Sequence, residues 1–226
     1  MITQTNIKVD SNLYDMCVNN AIKSDTKITL NKPTGRFFYD PWVIKDEYKN
    51  TVWEQVLNTL PNNIGEARLI TLEPGTCYYS HADVDDRYHL TLTGRKSYLV
   101  DLDNDIMHTL KNDGVWYDMD AGLMHSAVNF GDIPRTQLVV RKLLNEVSGY
   151  PCKKIKIELN TDIHDSRYYF DAEVSYFLNR GCKHGIINSF VASNNSVEFK
   201  LHEYFVDELV IKSCDRYTIT ASEDNS

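Results

Sequence analysis

Arg87-Tyr88-His89-Leu90-Thr91-Leu92 is the stretch that decides the fold. Side chains alternate faces along a strand, so Arg87, His89 and Thr91 share one face while Tyr88, Leu90 and Leu92 share the other. An apolar row can be covered by helices. A polar row turned into a protein interior is costly unless its groups are paired or bind something. The stretch therefore predicts a strand with helices on one side and a ligand cavity on the other.

Similar runs extend in both directions, giving eight expected strands at 67–73, 76–81, 87–93, 96–101, 105–110, 115–119, 123–130 and 135–144. Pro74-Gly75, Thr93-Gly94, Asp103-Asn104, Asp113-Gly114, Ala121-Gly122 and Gly131-Asp132 separate them, each a local stop with a backbone reason. Eight short strands at regular spacing predict a mainly β chain folded as a jelly roll.

Chemistry concentrates on the same segment. His81 and Asp83 form an HxD pair, His125 lies on a later strand, and Arg135 follows it by ten residues. Two imidazoles and one carboxylate can hold one face of an octahedral Fe(II), leaving positions for a co-substrate and O2. Arginine offers a carboxylate a planar two-pronged partner that lysine cannot imitate. Arg141 shares a face with Arg135 by even spacing, but six residues along a strand is about 20 Å, so both cannot grip one small ligand.

The stretches from Leu69 to Asp83, Arg87 to Leu92, Gly122 to His125 and Asn129 to Arg135 resemble the aspartyl/asparaginyl β-hydroxylase family, related to bacterial proline hydroxylases. The resemblance covers about 35–144 and leaves the C-terminal third unexplained. It implies a double-stranded β-helix (jelly roll, cupin-like) and an Fe(II)- and 2-oxoglutarate-dependent dioxygenase. It further implies that His81, Asp83 and His125 bind iron, that Arg135 grips the distal carboxylate of 2-oxoglutarate, and that Arg87 and His89 sit near its other end. The ten-residue interval from His125 favours Arg135 over Arg141. Where some members carry a serine that helps hold the co-substrate, this chain has Ile70, with Thr71 beside it. The implied reaction is hydroxylation of an amino-acid side chain of Asp, Asn or Pro type, free or in a peptide, with release of succinate and CO2. Two other classes stay open: a cupin-like small-metabolite binder or isomerase with another metal, and a non-catalytic protein-interaction module on the same barrel.

The chain has 226 residues and a net charge of −8, without a basic run, which argues against a surface that tracks nucleic-acid phosphates. No apolar run reaches membrane-spanning length and the first residues lack signal-peptide character, so a cytoplasmic protein is expected. Cys17, Cys77, Cys152, Cys182 and Cys214 have no metal-site spacing and read as free thiols. His108, His164, His184 and His202 read as surface or local hydrogen-bonding residues.

Two helices are expected before the barrel, 12–22 capped by Ser11 and 47–60 stopped by Pro61, with the aromatic cluster Phe37, Phe38, Tyr39 and Trp42 packing on the barrel. Ser148, Gly149 and Pro151 mark a boundary near 146–151, dividing an oxygenase domain, 1–147, from a small α+β unit, 148–226. There, Ile155, Ile157 and Leu159 read as a strand, and Phe170, Val174, Phe177 and Leu178 as a helix closed by Gly181. Strands at 187–192 and 197–201 flank Asn194-Asn195 as a hairpin, 209–211 reads as a further strand, and 220–226 as a disordered tail. Support of the barrel, homodimerisation and substrate docking are all open roles for this unit.

Overall fold

The computed structural model describes residues 2–21, 27–61, 63–145, 151–160, 172–193 and 195–223. It is mainly β, built from antiparallel sheets. Eight strands make its centre: β5 (Ile64–Leu72), β6 (Thr76–Cys77), β7 (Arg87–Thr91), β8 (Ser97–Asp101), β9 (Ile106–His108), β10 (Val115–Met119), β11 (His125–Asn129) and β12 (Arg135–Lys142). They follow four shorter or earlier strands, β1 (Ile2–Lys8), β2 (Ile28–Thr29), β3 (Asn31–Pro33) and β4 (Trp42–Ile44). One sheet has the order β1-β10-β7-β12-β5-β2 and a second has β6-β11-β8-β9. Leu72, Tyr117 and Met119 of the first pack with Leu99 and Ala127 of the second, so the two sheets face each other.

Register puts the polar row inside. His89 pairs with Val139 and Tyr117, Arg87 with Arg141 and Met119, and Val139 in turn with Arg68. Directly paired residues point to one face. Arg87, His89 and Thr91 therefore share the inner face with Arg135, Gln137 and Arg68. Leu90, Leu92, Leu69, Leu138 and Trp116 point the other way, onto Val52, Trp53, Val56 and Leu57 of a helix and Cys17 of another.

Those helices are shorter than the sequence predicts. The first, α1, is Ser11–Asn19, and Asp10 rather than Ser11 caps it, its Oδ1 accepting from the amides of Asn12 at 2.9 Å and Leu13 at 3.3 Å. The expected helix at 47–60 is split into a 3-10 turn, Asp46–Tyr48, and α2, Val52–Leu57. Asn50 has φ 58°, which no helix tolerates, and Thr51 recaps the chain by accepting from Trp53 N at 3.3 Å. The strand expected at 76–81 is Thr76–Cys77 followed by an isolated bridge at His81. β1 was not foreseen; it completes the edge of the larger sheet beside β10.

The C-terminal residues form their own sheet, β14-β15-β13-β16, from β13 (Cys152–Leu159), β14 (Ile187–Ala192), β15 (Ser196–His202) and β16 (Tyr217–Glu223), with helices α3 (Ala172–Lys183) and α4 (Val206–Val210). Three expectations are corrected here. The strand at 209–211 falls largely in α4, where Asp207 and Glu208 suit a helix N-terminus and Leu209 reaches the core. Residues 220–223 are not a disordered tail but the end of β16, paired along β13. Gly181 does not close α3, which runs to Lys183; a Cβ there would lie 2.5 Å from Ile187 Cδ1, so glycine allows close packing. The aromatic cluster is also redirected. Phe38 and Tyr39 join the C-terminal core, the Tyr39 hydroxyl accepting from Phe190 N at 2.7 Å. Most of the expected boundary at 146–151, Phe170, His164, Asn194 and the last three residues lie outside the described residues. No helix among the described residues is long and apolar enough to cross a membrane.

Candidate metal centre and its cavity

His81 and His125 meet because their backbones pair. Each amide donates to the other's carbonyl, at 2.9 and 2.8 Å, which sets both rings on one side with centroids 4.4 Å apart. His81 Nδ1 lies 2.8 Å from Tyr79 O, and His125 Nδ1 lies 2.8 Å from Leu123 O. A carbonyl only accepts, so Nδ1 carries the proton in both rings and Nε2 presents a lone pair. Each Nε2 stands 3.7 Å from Asp83 Oδ2. The three ligand atoms lie within 4.8 Å of one another, and ligand bonds of about 2 Å let one ion reach all three. Histidines oriented by a second hydrogen bond are the usual accompaniment of metal ligation. His81, Asp83 and His125 could thus hold a metal ion.

Asp83 is fixed from several sides. Its amide donates to Ala121 O at 2.7 Å, and Arg87 Nη2 holds Oδ1 at 2.8 Å, which leaves Oδ2 for the histidines. From α3, Asn179 Nδ2 donates to the carbonyls of Asp83 at 3.1 Å and Val84 at 3.0 Å. Asn179 also occupies the space a Cβ would need at Gly122, so only glycine fits where the helix meets that loop. Burial raises the Asp83 carboxyl, but Arg87, His81 and His125 beside it outweigh burial and carry it well below the usual carboxylate range. Burial pushes His125 down to about 4, so the ring is neutral and ready to ligate at neutral pH.

Arg135 is 5% exposed and donates to Gln137 Oε1 at 2.5 Å, with no carboxylate within ion-pair distance among the described residues. Burial pushes it down to about 10, opposed only by Tyr78. Gln137 Oε1 also meets His89 Nδ1 at 3.1 Å, and its amide donates to Thr91 Oγ1 at 2.9 Å. His89 Nδ1 therefore donates, and its buried Nε2 is an acceptor with no partner. Burial pushes His89 down to about 3.

The other arginines are engaged differently. Arg141 is bound by Asp85 and by Glu66, the latter at 3.2 Å, and these acids with Asp83 overcome burial to hold it fully charged. Arg87 lies against Asp83 and, at 3.2 Å, Asp85. Arg68 and Lys27 share Glu66 with Arg141. Thr71 turns away from the interior, its hydroxyl 3.1 Å from that of Thr136, while Ile70 lines the cavity. The cavity encloses about 400 Å³, within the range of small-molecule sites, and brings His81, Asp83, His125, Arg135, Arg87 and His89 onto one surface.

Compared with family models and with curated proteins, the chain matches none. The site therefore stands on its residues.

Sequence reading missed Gln137, Arg68, Glu66 and Asn179 as parts of this site. Gln137 follows from Arg135 by even spacing, Arg68 follows from Ile70 within the strand expected at 67–73, and Glu66 follows once β5 is begun at Ile64 rather than at 67. Nothing local marks Asn179, which reaches the site across 96 residues of chain.

Proposed function

We propose that the protein is an Fe(II)/2-oxoglutarate-dependent dioxygenase that hydroxylates an amino-acid side chain. The observation that carries this reading is one cavity holding both a convergent His81–Asp83–His125 set and a buried Arg135 without an acid partner. A face of two neutral imidazoles and one carboxylate suits Fe(II), and a buried guanidinium lacking a counter-ion suits a ligand carboxylate. The strand order supports a double-stranded β-helix, with β5, β7, β10 and β12 in one sheet and β6, β8, β9 and β11 in the other.

His81, Asp83 and His125 would hold Fe(II), which would supply the redox chemistry for O2 to oxidise 2-oxoglutarate to succinate and CO2 with one oxygen atom and to hydroxylate the substrate with the other. The chain's own residues place the reactants. Arg135 receives the distal carboxylate, with Gln137 fixing its guanidinium through Oε1. Arg87 holds one carboxylate oxygen of Asp83 and so aims the other at the histidines. Leu99, Met119, Ala127 and Val139 supply apolar wall that limits water. Incubating the protein with Fe(II), 2-oxoglutarate and a panel of amino acids and peptides tests this reading. Succinate release coupled to a product heavier by one oxygen atom is expected. A metal-loaded protein that neither binds 2-oxoglutarate nor releases succinate is instead a metabolite binder, an isomerase or an interaction module.

A further inference from the structure

A second cation in the cavity is left undercompensated. Arg68 is 7% exposed, and among the described residues its Nε has no hydrogen-bond partner and its one ionic contact is Nη1 at 3.4 Å from Glu66 Oε2. That carboxylate is already shared: Arg141 Nε lies 3.2 Å from the same oxygen and Lys27 Nζ lies 2.9 Å from the other. Arg68 faces Val139, which stands four residues from Arg135 on the same face of β12. At about 3.3 Å per residue that separates the two positions by roughly 13 Å of backbone, so the two arginines enter the cavity at different points along the sheet.

Charge balance points the same way. Lys27, Arg68, Arg87, Arg135 and Arg141 line the cavity, while the acids in contact with them among the described residues are Glu66, Asp83 and Asp85, which leaves an excess of two positive charges. A divalent ion at the triad and a dianionic co-substrate cancel each other, so the excess of two persists. Burial, reinforced by Arg87 and Arg141, pushes Arg68 down to about 10, and an anion would relieve both. Ile70 and Val139, which flank Arg68 on the cavity wall, suit the hydrocarbon part of such a ligand.

We propose that Arg68, with Lys27 beside it, anchors a carboxylate of the substrate, which makes the substrate an acid of amino-acid size. This rests on the dioxygenase reading above and names its substrate class. The carboxylate belongs to a free acid or to an acidic side chain in a peptide; the recognising chemistry is the same.

Calorimetry on the Mn(II)-loaded protein, which binds without turnover, tests it with and without 2-oxoglutarate. The probes are L-aspartate and L-glutamate, each acid within a blocked tripeptide, and, as the amides, the same blocked tripeptides with asparagine or glutamine in place of the acid, which carry no carboxylate. The acids are expected to bind and the amides to bind far less. Arg68→Met should weaken the acids on the order of 30-fold or more, as for truncation of a buried charge pair, while 2-oxoglutarate affinity stays the same. Preference for the free or the blocked form identifies the source of the carboxylate. Far-UV circular dichroism checks the fold, and should Arg68→Met unfold, Lys27→Met at the exposed rim gives the same contrast with a smaller loss. Binding by none of the acids, equal binding of acids and amides, or unchanged acid affinity in both variants overturns the proposal. So does a loss confined to 2-oxoglutarate, which would make Arg68 part of the co-substrate site. Failure of the wild type to bind 2-oxoglutarate at all counts against the dioxygenase reading instead, while the titrations without it still decide Arg68.

Discussion

The larger of the two facing sheets and the C-terminal sheet bury very different residues. The inner face of the first encloses Glu66, Arg68, Arg87, His89, Arg135, Gln137 and Arg141, whereas the buried polar residues of the second unit, among those described, are Asn179 and Asn188. The C-terminal core is otherwise apolar, built on Ile155, Ile157, Leu178, Phe199 and Tyr217. Burying charge costs free energy unless it is paired, so a sheet that concentrates it is organised for a ligand rather than for stability. The C-terminal residues bear on that site through α3, whose Asn179, Arg180 and Lys183 bond the loops around Asp83 and His125, and through Phe190, Ala192 and Val197, which line a small pocket with Asp83, Asp85 and Arg141.

Two buried arginines on one strand should break the comparison most sharply if it is wrong. Arg141→Ala strips Asp85 and Glu66 of a shared cation and should cost about 3–5 kcal/mol of folding stability, read by urea unfolding. Arg135→Ala leaves no acid unpaired, so stability should change much less, while 2-oxoglutarate binding weakens by about 2–5 kcal/mol. Equal stability losses in the two variants would contradict the division of roles.

The link between the units is tested next. Asn179→Ala removes both hydrogen bonds to the Asp83 loop and should lower Co(II) affinity about 10-fold, as loss of an outer-shell partner does. Asn188→Ala, at a buried amide on β14 of the same sheet, should leave Co(II) affinity unchanged. A loss from Asn188→Ala as large as that from Asn179→Ala would mean the unit acts through general stability.

Acid should expose the charged interior. Burial raises the Glu66 carboxyl, but Arg68, Lys27 and Arg141 bring it down to about 2. A carboxyl lowered on folding contributes stability above its ordinary value near 4.5 and loses it as pH falls toward 2. The stability difference between wild type and Glu66→Gln should therefore shrink across that window, as followed by unfolding at successive pH values. The smallest effect is expected on the outer face of the C-terminal sheet. Lys154→Ala breaks an exposed pair with Glu198 and should change stability by less than about 1 kcal/mol.

Much of the two facing sheets was legible because period-two alternation forces side chains onto faces. The row Arg87, His89, Thr91 named the inner surface, and even spacing carried it to Arg135 and Arg141. What alternation could not give was partnership. Whether Arg141 or Arg135 had a free guanidinium depended on Glu66 and Asp85, placed by strand pairing between distant segments. The pairing that brings His81 to His125 is likewise a tertiary fact, although the residue types announced the ligand set. The C-terminal errors have another cause. Three apolar residues at 209–211 fit strand and helix equally, and the polar alternation of 217–223 resembles a solvated tail until β13 is there to pair with it.

The central claim is that one cavity joins an iron site to a 2-oxoglutarate anchor. Titrating 2-oxoglutarate into the anaerobic Fe(II) protein, and following the visible charge-transfer band of a 2-oxo acid chelated to iron, tests it directly. The account predicts a saturable band in the wild type, its loss in His125→Ala, and a much higher 2-oxoglutarate requirement in Arg135→Ala. No band in the wild type, or a band undiminished in His125→Ala, would contradict it.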